Sequence, residues 1–103
     1  GAIVMGLGHA LMEEMIYEDG VLRNGNMVDY KVPTFMDSDV ETKITLVENG
    51  HPEGPFGVKG IGEPGLVPTA AAIAGAVCHA CNTDFASIPI KPEHILFRKE
   101  VEG

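Results

Sequence analysis

The 103-residue chain has no tryptophan, only two cysteines and only seven lysines and arginines. Each shortage excludes something. Cysteines at 78 and 81 cannot build a disulfide framework, and a bridge between them would close too short a loop to restrain the unfolded chain, which points to a reducing, cytoplasmic setting. Seven bases against fifteen acids give a formal net charge of −8. Nucleic acid and anionic membrane surfaces are bound through clustered Lys and Arg, and the only adjoining bases here are Arg98 and Lys99, so neither is an expected partner. The apolar run from Ala2 to Leu7 has no basic segment before it and meets Glu13-Glu14 after it, so it reads as neither a signal peptide nor a membrane span. Because the chain starts at Gly1 rather than Met, processing or truncation upstream is expected.

Glycine, by contrast, is abundant: 13 residues, with 7 prolines, in a chain that is 45% hydrophobic. No Gly-X-Y period is present, which excludes collagen, and the apolar content excludes a disordered tail. A single domain over residues 1–103 is expected, burying roughly 60 to 70% of its unfolded surface. Ile3, Val4, Leu7, Leu11 and Met15 recur at helical spacing and predict a helix from Ala2 to Glu18, with Gly6 and Gly8 inside it at a cost of about 1 kcal/mol each. Something must require their missing side chains. Asp19-Gly20 and Asn24-Gly25-Asn26 are turn signals around a short extended segment at 21–23. Tyr30 to Pro33 reads as extended, and Thr42 to Glu48 alternates as the best strand in the chain. From Asn49 to Gly65 the hydrophobic period disappears and glycines fall at 54, 57, 60, 62 and 65, the pattern of a functional loop. Leu66 to Asn82 predicts an alanine-rich helix ended by Asn82, Thr83 to Ile90 an extended stretch, and Pro92 to Lys99 a short last helix. The fold class is α+β: two main helices packed on a small mixed or antiparallel sheet, with a long glycine-rich active-site loop.

Within that loop Glu63 stands out. Pro64 should hold it extended, Gly62 and Gly65 allow sharp turns on both sides, and the positive end of the following helix suits a carboxylate acting as a general base. The plainer reading is that Glu63 caps that helix. Cys78-His79-Ala80-Cys81 has C-x-x-C spacing, but a single pair on an alanine-rich helix reads as packing, and no metal ligand set is expected. His9, His51, His79 and His94 form no i, i+4 pair. Gly6-Leu7-Gly8 lacks the third glycine and the preceding strand of a dinucleotide-binding turn.

Residues 57 to 65, Gly-Val-Lys-Gly-Ile-Gly-Glu-Pro-Gly, resemble the active-site signature of the molybdenum hydroxylases, the xanthine dehydrogenase and aldehyde oxidase family. Residues 1 to 8 and 11 to 14 resemble that family's Gly-Ala-x-Val-Gln-Gly-x-Gly helix and its Leu-x-Glu-Glu continuation. Tyr30-Lys31-Val32-Pro33, Pro68 through Ala76, and Ile88 through Pro92 follow in family order. The resemblance covers essentially the whole chain and implies the C-terminal part of a molybdopterin-binding large subunit. It implies hydroxylation of an N-heterocycle (purine-like) or aldehyde with oxygen from water, Glu63 as general base, and Met5, Gly6, Gly8, Lys59, Gly60 and Gly62 around the molybdopterin. The metal's sulfurs come from the pterin, so the chain need supply no ligand. It also implies iron-sulfur and FAD domains or subunits as electron partners, a small-molecule substrate, and an upstream molybdopterin-binding region without which this chain is inactive and holds no cofactor. Met5 departs from the pattern, standing where the family has a glutamine and offering only a weak acceptor. That departure supports the alternative of a non-catalytic structural or assembly module that kept the fold. A truncated domain would expose the apolar face of its first helix, so a homo-oligomer is a further expectation.

Overall fold

A computed structural model of the chain describes residues 1–98. Helix α1 spans Ala2–Leu11, seven residues shorter than its periodicity suggests. Its end is set from elsewhere in the chain. The Ala10 carbonyl, which would receive the Glu14 amide in a longer helix, instead accepts the Ile90 N–H at 2.7 Å. Asn24 then captures the next turn: its Oδ1 accepts the Ile16 N–H at 2.8 Å and its Nδ2 donates to the Glu14 carbonyl at 2.6 Å. Both ends of this buried amide are satisfied. Asn24→Ala leaves the two backbone groups without their partner, and we expect a loss of about 1–3 kcal/mol, measurable as a lowered denaturation midpoint.

The chain continues into a hairpin of β1 (Tyr17–Glu18) and β2 (Val21–Leu22), antiparallel, with Tyr17 opposite Leu22 and Glu18 opposite Val21. Asp19 and Gly20 both have positive φ, 50° and 76°, the two-residue turn that matches strand twist. This is the sheet of the α+β fold, and it is antiparallel. The expected strand from Thr42 to Glu48 is absent from it. Strand pattern alone does not make a strand, because a ladder needs a second backbone to receive its hydrogen bonds, and among the described residues none pairs with this segment. The 49–65 stretch is more ordered than a bare loop, with 3₁₀ turns at Pro55–Gly57 and Pro64–Leu66.

Helix α2 spans Thr69–Cys81. Asn82 ends it in the left-handed conformation, φ 49° and ψ 44°, while Asn82 and Thr83 return their N–H groups to the carbonyls of His79 and Cys78. Thr83 to Ile90 joins no sheet; it runs back to α1, and α3 (Pro92–Leu96) follows with Pro92 in its first turn. The helix stops at Leu96, short of the expected Lys99: Phe97 and Arg98 are not helical, and Lys99 lies outside the described residues. Arg98 donates to the carbonyls of Cys81 and Ile95, at 3.2 and 2.7 Å, tying the end of α2 to α3.

Lys91 closes the same region by an ion pair to Glu14 at 2.5 Å. The hydrogen bond from Lys91, and then its charge, hold the Glu14 carboxyl below its usual value. A carboxyl depressed in the fold contributes stability above its unfolded pKa and loses it as pH falls through the folded one. Thermal melts of wild type and Glu14→Gln should therefore differ at neutral pH and converge in acid, below the ordinary glutamate range.

Packing centres on α1 against α2, and among the described residues the buried hydrophobic side chains are Ala10 and Ile90. The accessible surface is 8346 Å², where a compact monomer of 10.9 kDa would show about 5,600 Å². The radius of gyration is 17.3 Å, against roughly 13 Å for a compact chain of this length. The expected 60 to 70% burial is therefore not reached, because too few apolar faces meet within the chain. One stretch, Pro64–Cys81, has a mean hydropathy of 1.4 over 18 residues and is apolar enough to resemble a membrane span. Its α-helical part is only the 13 residues of α2. At about 1.5 Å per residue that is roughly 20 Å, against a hydrocarbon thickness of about 30 Å.

Candidate active site

Glu63 sits at the start of the Pro64–Leu66 turn with φ −121° and ψ −1°. The extended backbone expected before Pro64 is not what forms. The Glu63 carbonyl accepts the Leu66 N–H at 2.9 Å and so opens a 3₁₀ turn from outside the extended region that Pro64 favours, whereas the equivalent turn at Pro55–Gly57 opens from an extended Gly54 with ψ 142°. Its side chain is exposed and makes no capping bond to the turn. Among the described residues no hydrogen bond or ion pair engages the carboxylate, so the plainer capping role is not the one the geometry displays. The oxygens are free to act on something outside the chain.

Two contacts fix the turn against α1. A Cβ built on Gly65 would lie 3.4 Å from the Ala2 Cβ, ordinary contact distance, and the Thr69 hydroxyl donates to the Gly65 carbonyl. Thr69 in turn occupies the hollow left by Gly6, where a Cβ would come within 2.5 Å of the Thr69 Cβ. The two segments singled out in the sequence, the first helix and the glycine loop, thus meet through Gly6, Gly65 and Thr69.

Gly8 is used in a similar way. A Cβ there would fall 2.8 Å from Pro33 Cδ and onto the Glu13 carboxylate. Glu13 is positioned by the Tyr30 hydroxyl, which donates to Oε1 at 2.9 Å, and that bond, with burial and the glutamate's charge, raises the Tyr30 pKa. Both glycines are buried, so the side-chain space they vacate is taken by this chain's own atoms. The positioning residues Thr69, Pro33, Glu13 and Tyr30 were missed as such in the sequence. The available signal was that Glu13, Tyr30 and Pro33 fall in segments with ordered family resemblance. Met5, one residue before Gly6, is 40% exposed.

The remaining loop residues line an open groove of about 630 Å³, formed by Lys59, Gly60 and Pro64 on one side and the stretch from Val47 to Gly50 on the other. The His51 N–H donates to the Gly57 carbonyl at 3.0 Å and holds the two sides together. A Cβ on Gly60 or Gly62 would meet nothing within 4 Å, so these two glycines leave bare backbone facing open space. Lys59 is exposed, and among the described residues no ion pair joins it to Glu63. Cys78 Sγ accepts the Phe85 N–H at 3.4 Å, a packing role, and both cysteines are free thiols. Among the described residues no three His, Cys, Asp or Glu side chains converge on one point.

The chain is similar to known proteins along nearly its whole length. The molybdopterin cofactor-binding domain family matches residues 1–39. The putative xanthine dehydrogenase molybdenum-binding subunit of Escherichia coli K12 is 40% identical over 97 residues, covering 92% of this chain and 13% of that protein. The chain belongs to this family of molybdenum-binding subunits. The aldehyde oxidoreductase molybdenum-binding subunit of Escherichia coli K12 is 38% identical over 98 residues, covering 93% of this chain and 13% of that subunit. The crystal structure of quinoline 2-oxidoreductase from Pseudomonas putida 86 superposes with a TM-score of 0.80 at 33% identity, covering 96% of this chain and 14% of that one. The chain thus spans about one eighth of the curated molybdenum-binding subunits it matches.

Proposed function

We propose that the chain supplies the general base and part of the molybdopterin cradle of a molybdenum hydroxylase, and that it acts only as part of a complete subunit. The observation that carries this reading is the Glu63 carboxylate, unengaged among the described residues, on a turn packed against α1 and next to a groove whose lining includes Gly50, Gly57 and Gly60. The loop suits a bulky, anionic cofactor: Gly60 and Gly62 admit close approach, and Lys59 provides a cation at the groove. Met5, Gly6 and Gly8 belong to the cradle through α1, Met5 by its exposed side chain and the glycines by the close packing that sets the helix in place.

Molybdopterin, when bound, supplies the oxidising centre for a hydroxylation whose oxygen comes from water. The chain's own part is acid-base chemistry. Glu63 accepts a proton at a carboxylate oxygen from the attacking hydroxyl, which raises that oxygen's nucleophilicity toward an electron-poor carbon. The fixed turn keeps the carboxylate in one place, so little reorganisation accompanies the transfer. Electrons leave through iron-sulfur and FAD domains or subunits, and the setting is cytoplasmic. The substrate is an N-heterocycle or an aldehyde, the two classes named among the relatives.

Met5, in place of the family's glutamine, favours a second reading in which the fold survives as a structural or assembly module. One experiment separates the two: Glu63→Gln in the complete subunit, assayed over aldehydes and N-heterocycles with molybdenum content measured in parallel. A large rate loss at unchanged molybdenum supports catalysis; equal rates support the structural module.

A further inference from the structure

Residues 42–48, Thr-Lys-Ile-Thr-Leu-Val-Glu, have the alternation and β-branched content of a strand. In the structure they form none, and no backbone N–H or carbonyl of theirs takes part in a backbone hydrogen bond among the described residues. Their apolar side chains are left in water: Ile44 is 72% exposed, Leu46 73% and Val47 86%. An unpaired backbone carrying such side chains is a template for a neighbouring strand.

We infer that residues 42–48 pair with a β-strand from elsewhere in the complete molybdenum-binding subunit, and that this pairing fixes one wall of the groove beside Glu63. Three observations select that occupant. The conformation of nearly the whole chain recurs, at a TM-score of 0.80, inside a polypeptide of which it makes up 14%, so this shape exists surrounded by further chain. The accessible surface of 8346 Å² exceeds that of a compact monomer by about 2,700 Å², several times the roughly 800 Å² each partner buries in an ordinary interface. A second copy of this chain fits less well, since it brings another net charge of −8. The consequence for the site follows from position. Val47 and Glu48, at the end of the segment, line the groove opposite Lys59 and Gly60. Pairing that orders 42–48 orders that wall.

The test is amide hydrogen exchange across 42–48, in the isolated chain and in the complete subunit. Exchange should slow by at least about 100-fold in the complete subunit, as expected when an exposed amide enters a ladder. Proline removes a donor, and successive N–H groups of a strand point to opposite sides, so Thr45→Pro and Leu46→Pro together cover both registers. At least one of them should abolish the protection in the complete subunit, while Thr45→Val keeps it. Unprotected amides in the complete subunit, or full protection in both proline variants, overturn the proposal. Protection in the isolated chain that grows with its concentration also overturns it and assigns the segment to a second copy. None of these readouts depends on turnover, and Glu63→Gln should show wild-type protection, so a failure here is distinct from a failure of the catalytic reading.

Discussion

Glu63→Gln in the complete subunit should lower kcat/KM for hydroxylation by about 10²- to 10⁴-fold, the span that a positioned general base contributes, or roughly 3–5 kcal/mol of transition-state stabilisation. Glutamine keeps the size and shape of the side chain but cannot take up the proton. The fold should not notice the change, because the carboxylate has no hydrogen-bond or ion-pair partner among the described residues and its turn is closed by its backbone carbonyl instead. Melting temperature and molybdenum content should therefore match wild type. Glu63→Asp gives the complementary result. It retains a base but withdraws it by one methylene, about 1.5 Å, so the rate should fall between the other two. If Glu63→Gln lost molybdenum along with activity, the carboxylate would be a binding group, and the general-base assignment would fail.

The rate prediction rests on a residue that could be located in the sequence, and the reason is chemical locality. Asp19-Gly20 makes its turn from its own backbone preferences, and Asn82 ends α2 by adopting a left-handed conformation that few residues tolerate. Such features are written within a few residues. Glu63 was singled out through an ordered motif and its role as a base is a proposal, while its backbone angle departs from the extended value that the following Pro64 favours. Distance explains the larger differences. The end of α1 is dictated by Ile90 and Asn24, 80 and 14 residues beyond Ala10, and no window of helical periodicity contains them. Thr42 to Glu48 reads as a strand because side-chain pattern is local, yet forms none here because pairing is not. Gly6 and Gly8 lie between these cases. Their cost in a helix announced a close approach, but only the fold names Thr69 and Pro33 as what approaches.

Gly6→Ala turns that close approach into a measurable effect. Alanine is the better helix former by about 1 kcal/mol, so an exposed glycine in this helix would gain from the change. At Gly6 the new Cβ lies 2.5 Å from Thr69 Cβ and 2.6 Å from Thr69 Cγ2, where carbon atoms prefer about 3.5–4.0 Å. Rotation of the threonine could move Cγ2 but not Cβ, and its hydroxyl is already committed to the Gly65 carbonyl. The helices must separate. Overpacking of this kind costs about 1–3 kcal/mol, so the net effect should be destabilising, and a lowered denaturation midpoint measures it. Gly75→Ala is the internal control: its Cβ meets nothing within 4 Å, and the same substitution should there stabilise by about 0.5–1 kcal/mol. A double-mutant cycle identifies the partner. Of the two close atoms Thr69→Ala removes only Cγ2, along with the hydroxyl that bonds the Gly65 carbonyl, and should leave Gly6→Ala destabilised, whereas Thr69→Gly removes both close atoms, leaves the Ala70 nitrogen at 3.5 Å, and should show a favourable coupling of about 1 kcal/mol or more. Because the Gly65 turn rests on Ala2 of the displaced helix, Gly6→Ala should also loosen the seat of Glu63. In the complete subunit it should lower molybdenum content and rate together, the opposite of the clean rate loss expected for Glu63→Gln. Equal stability of Gly6→Ala and wild type would mean that α1 and α2 do not meet through Gly6 and Thr69, and the route from the first helix to the catalytic turn would have to be drawn elsewhere.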